Sequence, residues 1–156
     1  MSVECPFRPN STGVFMIVGI GLDLVETARM RRSLERFGRR FAAKILHESE
    51  MGDFYPPEED KRAVSDAAVR HAASRFAAKE ACAKALGTGF AAGVTLRDIR
   101  VYTSGMGKPI LTLYGGALEQ ALAAGASKIH LSLTHTGTSA AAVVILEAGT
   151  GEDLTH

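Results

Sequence analysis

A small single α+β domain, with a largely antiparallel sheet packed on one long central helix, is the fold class this sequence predicts. Three observations predict it. The chain has 156 residues, about the length of one ordinary core. Its hydrophobic period switches in the order strand, helices, two strands, helix, two strands, with no internal repeat or linker. The last two pairs of strands are joined by short glycine-containing turns, the mark of antiparallel hairpins.

Each element has its own signal. In "MIVGIGLDL", residues 16–24, Val18, Ile20, Leu22 and Leu24 alternate with Gly19, Gly21 and Asp23, so the run reads as a buried strand. Glycine weakens strands and marks close approach by another segment, so the second face is expected to meet something. A helical pattern runs from about Thr27 to Arg40, followed by the short segment "FAAKILHESEM". Tyr55-Pro56-Pro57 and the acidic residues after it form a loop signal. The long helix is expected from about Ala63 to Leu86, stopped by Gly87 and Gly89. "LRDIRVYTS" and "PILTLYG" read as strands around Gly105-Met106-Gly107-Lys108-Pro109. A helix at about 116–124 precedes a hairpin made of "KIHLSLTH" and "SAAAVVILE".

Residues 1–15 read as a flexible extension, 16–149 as the folded domain and 150–156 as a tail, with Met16 a candidate start. No run approaches the roughly 20 apolar residues that a membrane span needs. Lys plus Arg total 18 and Asp plus Glu 17, so bulk charge points to no nucleic acid or other partner. Cys5 and Cys82 form neither a disulfide framework nor a zinc spacing, which suits a reducing, cytoplasmic setting. Cys82 reads as a small buried thiol within the alanine-rich helix.

Chemistry-bearing residues concentrate in three places. Asp23 ends the glycine-faced strand, Glu80 and Lys84 stand one turn apart on the long helix, and Ser132 and His135 lie on the strand "KIHLSLTH". Each has an ordinary explanation. Asp23 can cap the following helix, Glu80 and Lys84 can be a solvated i, i+4 pair, and His135 can be a surface turn residue. Together they suit Mg²⁺, which takes one or two carboxylates and completes its shell with water and phosphate oxygens. Lys84 would then neutralise a phosphate. No Walker motif or GxGxxG is present. Ser132, His135 and Asp23 could be drawn as a triad, but no nucleophile elbow surrounds the serine.

Four stretches, "IVGIGLDLVETARM", "RFAAKEACAKALGTG", "GKPILTLYG" and "IHLSLTHTGTSAAAVVILE", resemble the signature segments of the holo-(acyl-carrier-protein) synthases, the small 4'-phosphopantetheinyl transferases. Their order and approximate spacing are kept from Met16 to Glu147. The resemblance implies the fold of that family and transfer of 4'-phosphopantetheine from coenzyme A to a serine of an acyl carrier protein, in support of fatty acid synthesis. It implies Asp23 and Glu80 as Mg²⁺ ligands and Lys84 as a phosphate contact, with Glu80 and Lys84 the catalytic pair. Arg75, Gly107, Lys108, Pro109, Ser132 and His135 are the implied coenzyme A contacts, and Lys61 and Arg62 are candidates for its 3'-phosphate. The serine's proton would leave to a metal-held water or to Glu80 acting through one.

The partner has a separate signal. Six arginines, Arg29, Arg31, Arg32, Arg36, Arg39 and Arg40, fall within twelve positions of a near-neutral chain. At helical spacing Arg29, Arg32, Arg36 and Arg40 share a face. A solvated basic face and a nucleic-acid contact are the alternatives, but no aromatic stacking platform accompanies the cluster. The resemblance implies docking of the acidic carrier protein there, and a homotrimer whose active sites lie between subunits. Two other classes remain: a coenzyme A-dependent acyltransferase or thioesterase, and a binding module for coenzyme A or the carrier without turnover.

Overall fold

The computed structural model describes residues 16–52 and 64–149. Lys61 and Arg62 lie outside the described residues, as do the expected N-terminal extension and the C-terminal tail. Ten elements follow the expected order, apart from a short extra helix and a 3-10 turn. These are β1 (Met16–Glu26), α1 (Thr27–Ile45), α2 (Glu48–Met51), α3 (Asp66–Ala85), the 3-10 turn Leu96–Asp98, β2 (Ile99–Thr103), β3 (Pro109–Leu113), α4 (Gly115–Ala123), β4 (Lys128–His135) and β5 (Ser139–Ala148).

The antiparallel structure is divided between two sheets. One has the order β1-β5-β4, and the other is the β2–β3 ribbon. β5 takes the centre because its alternation buries Ala140, Ala142, Val144 and Leu146 against α3. β2 starts later than its apolar pattern suggested. Thr95 and Asp98 cap each other's backbone, and this local bonding turns Leu96–Asp98 into a 3-10 turn instead of strand.

α3 is a helix of small residues, with Ala72, Ala73, Ala77, Ala78, Ala81 and Cys82 fully buried. Ser65 caps its start by accepting from the Ala68 N–H at 3.1 Å. Its end is closed by Gly87, whose φ of +76° suits glycine, with the Gly87 N–H donating to the Lys84 carbonyl. Burial pushes the Cys82 thiol up to about 12, so this cysteine is an inert core residue.

The packing of β1 reverses one expectation. The strand is present, but its apolar face is open in the single chain, with Ile20 61%, Leu22 64% and Leu24 63% exposed. Val18 leaves that face at an irregularity between Ile17 and Gly19 and packs against the core. The buried side is the glycine side. A Cβ on Gly21 would stand 1.8 Å from the Ala81 carbonyl oxygen, and one on Gly19 would stand 2.1 Å from that of Ala85. Helix backbone touches strand backbone here, which only glycine permits. Gly21→Ala is therefore expected to cost about 3 kcal/mol, the upper end for overpacking, because the obstacle is backbone. Urea denaturation of the variant checks this.

α1 runs further than Arg40, to Ile45, because a glycine bend joins two helical pieces. Gly38 sits at φ +55°, and the chain resumes helix beyond it. Arg29, Arg32, Arg36 and Arg40 are all exposed, but the bend means that Arg40 does not continue the stripe of the first three at helical spacing. Arg31 turns away to bond Asp66 and the Val64 carbonyl, tying α1 to the start of α3.

Candidate active site

The close strand–helix contact brings Asp23 and Glu80 into one electrostatic unit. Asp23 lies on the glycine side of β1, two residues past Gly21, and Glu80 precedes Ala81, whose carbonyl Gly21 touches. Partial burial raises the Glu80 pKa, the neighbouring Asp23 charge raises it further, and Lys84 partly offsets both. Two carboxylates that repel one another at a strand–helix junction could serve a hard divalent cation. Among the described residues no group of three or more His, Cys, Asp or Glu side chains could hold a metal. A pair of carboxylates by itself leaves the rest of a cation's shell to water and substrate, which is how Mg²⁺ is usually held.

Lys84 is not a simple helix partner of Glu80. Its Nζ donates to Asp23 Oδ1 at 2.8 Å and to the Leu22 carbonyl at 3.1 Å. The hydrogen bond to Asp23 raises its pKa, so it is cationic at neutral pH. The ammonium is half-exposed and reaches across the junction from helix to strand. Asp23 thus serves no helix cap: the residue at the N-cap of α1 is Glu26, without a side-chain cap bond.

A second group forms on the other limb of the fold. Arg75 Nη2 contacts Thr103 Oγ1 at 3.5 Å, and Thr103 is paired with Pro109 across the β2–β3 ladder. The turn between them is self-braced. Ser104 N–H donates to the Lys108 carbonyl, Gly107 N–H donates to the Ser104 carbonyl, and Gly107 has φ +81°. Gly107 and Lys108 are exposed. Arg75 and the turn at Gly107, Lys108 and Pro109 therefore lie together. Glu80 lies five positions after Arg75, an offset of about 140° around a helix, so within one chain the two groups face different directions.

Ser132 and His135 part company in the ladder. His135 pairs with Ala140, on the sheet face that Asp23 shares, and sits exposed at the hairpin end. Ser132 pairs with Val143 and, through it, with Leu22 on the open face. A Ser132–His135–Asp23 triad within one chain is excluded by that alternation.

The residue sequence reasoning missed is Lys79. Its side chain is 0% exposed, and its Nζ donates to Glu50 Oε2 at 2.6 Å and to the Leu96 carbonyl at 3.0 Å. Burial lowers its pKa, and Glu50 pulls it back up. The available signal was position: among Ala77, Ala78 and Ala81, a lysine has no solvated stripe to join. Glu50 carried no such sign.

Residues 19–144 match the model of the 4'-phosphopantetheinyl transferase superfamily. The chain is similar to the holo-[acyl-carrier-protein] synthase of Desulfovibrio desulfuricans, 46% identical over 85% of this chain and 99% of that one. A crystal structure of the Bacillus anthracis synthase in complex with coenzyme A (3',5'-ADP) superposes with a TM-score of 0.67 at 35% identity, covering 85% of this chain and 98% of that one. The Helicobacter pylori synthase in complex with coenzyme A gives a TM-score of 0.66 at 30% identity, covering 81% and 98%. No helix among the described residues is long and apolar enough to cross a membrane.

Proposed function

The chain belongs to the 4'-phosphopantetheinyl transferase superfamily, and from this we infer that its strand–helix carboxylate pair is the catalytic centre of coenzyme A-dependent transfer. The activity is that of the holo-[acyl-carrier-protein] synthases. A serine hydroxyl of the apo-carrier forms a bond to the phosphorus that bears pantetheine. The bond from that phosphorus to the leaving phosphate breaks, and adenosine 3',5'-bisphosphate departs. The observation that carries the residue assignment is the coupling of Asp23, Glu80 and Lys84 across the β1–α3 contact.

Asp23 and Glu80 would hold Mg²⁺, which when bound supplies a Lewis acid and a template for the diphosphate. Lys84 provides a positive charge beside the transferring phosphoryl group, where a preorganised cation stabilises charge that develops in the transition state. Arg75 and the Gly107-Lys108-Pro109 turn take the nucleotide end of coenzyme A, with His135 and Ser132 as further contacts. Glu80, acting through a water, would take up the serine's proton.

The open apolar face of β1 and the separation of the two groups fit a homotrimer with active sites at subunit borders. Ile20, Leu22 and Leu24 lie beside Ile145, Val143 and Ala141 in the ladder, a continuous apolar surface of the kind that marks an interface. A neighbouring copy would bring the turn of one chain to the carboxylates of the next, and Ser132 with the open face. Sedimentation at micromolar concentration is expected to give a species three times the chain mass, and a monomer would contradict this assembly.

The first half of α1 supplies the carrier surface, with Arg29, Arg32 and Arg36 exposed together and Arg40 beyond the bend. Replacing Arg29 and Arg36 with Glu is expected to raise KM for the carrier about tenfold or more while leaving KM for coenzyme A unchanged. The wild-type KM for the carrier is expected to rise with salt. Setting and pathway follow from the same reading: a cytoplasmic enzyme serving fatty acid synthesis. Incubation with apo-carrier, coenzyme A and Mg²⁺, followed by mass spectrometry of the carrier, tests it. A gain of one phosphopantetheine unit supports the transferase, and binding without mass gain contradicts it.

A further inference from the structure

Glu50 is nearly fully buried, yet no step of the transfer uses it. Its Oε2 accepts from the His47 N–H at 2.7 Å and from Lys79 Nζ at 2.6 Å, and its Oε1 accepts from the Val101 N–H at 3.0 Å. One carboxylate therefore joins α2, α3 and β2. We propose that Glu50 is a positioning residue for the reaction: with Lys79, it holds the nucleotide-binding turn at fixed register against the helix that bears Glu80. The proposal rests on the functional reading above.

Topology gives such a joint a task. The β2–β3 ribbon shares no ladder with β1-β5-β4, so backbone hydrogen bonds between sheets do not set its position. Ile99, Val101, Leu111 and Leu113 are buried and supply attraction. Apolar burial is non-directional, whereas hydrogen bonds require particular distances and angles. Lys79 fixes α3 to this limb twice, directly at the Leu96 carbonyl and through Glu50 at the Val101 N–H. Two residues beyond Val101 stands Thr103, which touches Arg75 and pairs with Pro109 of the turn. On the other side of the joint, Glu80 is the next residue after Lys79. Within the chain, this buried contact and the Arg75–Thr103 contact both tie the helix of Glu80 to the strand that leads into the turn.

The test compares wild type with the double variant Glu50→Leu/Lys79→Met and with Glu50→Gln. Thermal midpoint, kcat, KM for coenzyme A and KM for the carrier are measured for each. The double variant removes both charges and refills their space with apolar groups, so no charge is left buried alone, but the Val101 and His47 N–H groups and the Leu96 carbonyl lose these partners, and the midpoint falls. The expected result is KM for coenzyme A raised about tenfold or more with kcat reduced, since small misplacement of reacting groups is costly. KM for the carrier stays near wild type when the assay is run below the variant's midpoint. A double variant with wild-type kcat and KM for coenzyme A overturns the proposal. If the double variant melts below the assay temperature, Glu50→Gln, assayed below its own midpoint, is read against the same two outcomes. A wild-type protein without transfer in the same assay would instead overturn the functional reading.

Discussion

Glu80→Gln is expected to lower kcat/KM for transfer by at least about 10²–10³-fold, the loss seen when one preorganised electrostatic group leaves an active site. Gln keeps the size of the side chain but gives the cation one neutral oxygen in place of a carboxylate. The fold is expected to survive. Burial and Asp23 raise the folded-state pKa of Glu80, so its ionised form opposes folding. That penalty is present at pH above the raised value and lifts as pH falls through it. An amide carries no such penalty, so the thermal midpoint of the variant at neutral pH should equal or slightly exceed that of wild type. The same shift sets a pH limit on function. Protons compete for Glu80 at higher pH than for an ordinary glutamate, so Mg²⁺-dependent transfer should fade on acidification sooner than at a solvated carboxylate. Near-full activity in the variant would remove Glu80 from the mechanism.

Lys79→Met is expected to cost the stability that Glu80→Gln spares. The substitution strands Glu50 with its charge buried and only the His47 and Val101 N–H donors left. Breaking a buried pair on one side costs about 3–5 kcal/mol, which for a domain of this size lowers the midpoint by roughly 10 °C. Differential scanning calorimetry measures it. An unchanged midpoint would contradict a stabilising role for the Lys79–Glu50 pair.

These two neighbours show where the sequence was readable. The close approach at β1 was readable because Gly19 and Gly21 marked a strand face that had to meet another segment, and Gly21 against the Ala81 carbonyl is that contact. The hairpin Lys128–His135 and Ser139–Ala148 was legible because alternation and turn chemistry agreed. Lys79 and Glu50 were not legible as a pair, since 29 residues separate them and only the tertiary fold shows that they meet. The open face of β1 was misread for a related reason. An apolar alternation reports which face avoids water, but it cannot say whether the cover belongs to the same chain. Gly38 carried too little context to announce a bend, because an isolated glycine inside a helical pattern is compatible with either outcome.

One cation shared between Asp23 and Glu80 is the centre of this account, and calorimetric titration of Mg²⁺ in the presence of coenzyme A tests it most directly. Wild type, Asp23→Asn, Glu80→Gln and the double variant form a cycle. Either single substitution should abolish most of the protein-dependent Mg²⁺ affinity, and the double variant should lose little more, because both side chains serve one ion. Single variants that bind Mg²⁺ like wild type, or losses that simply add, would contradict it.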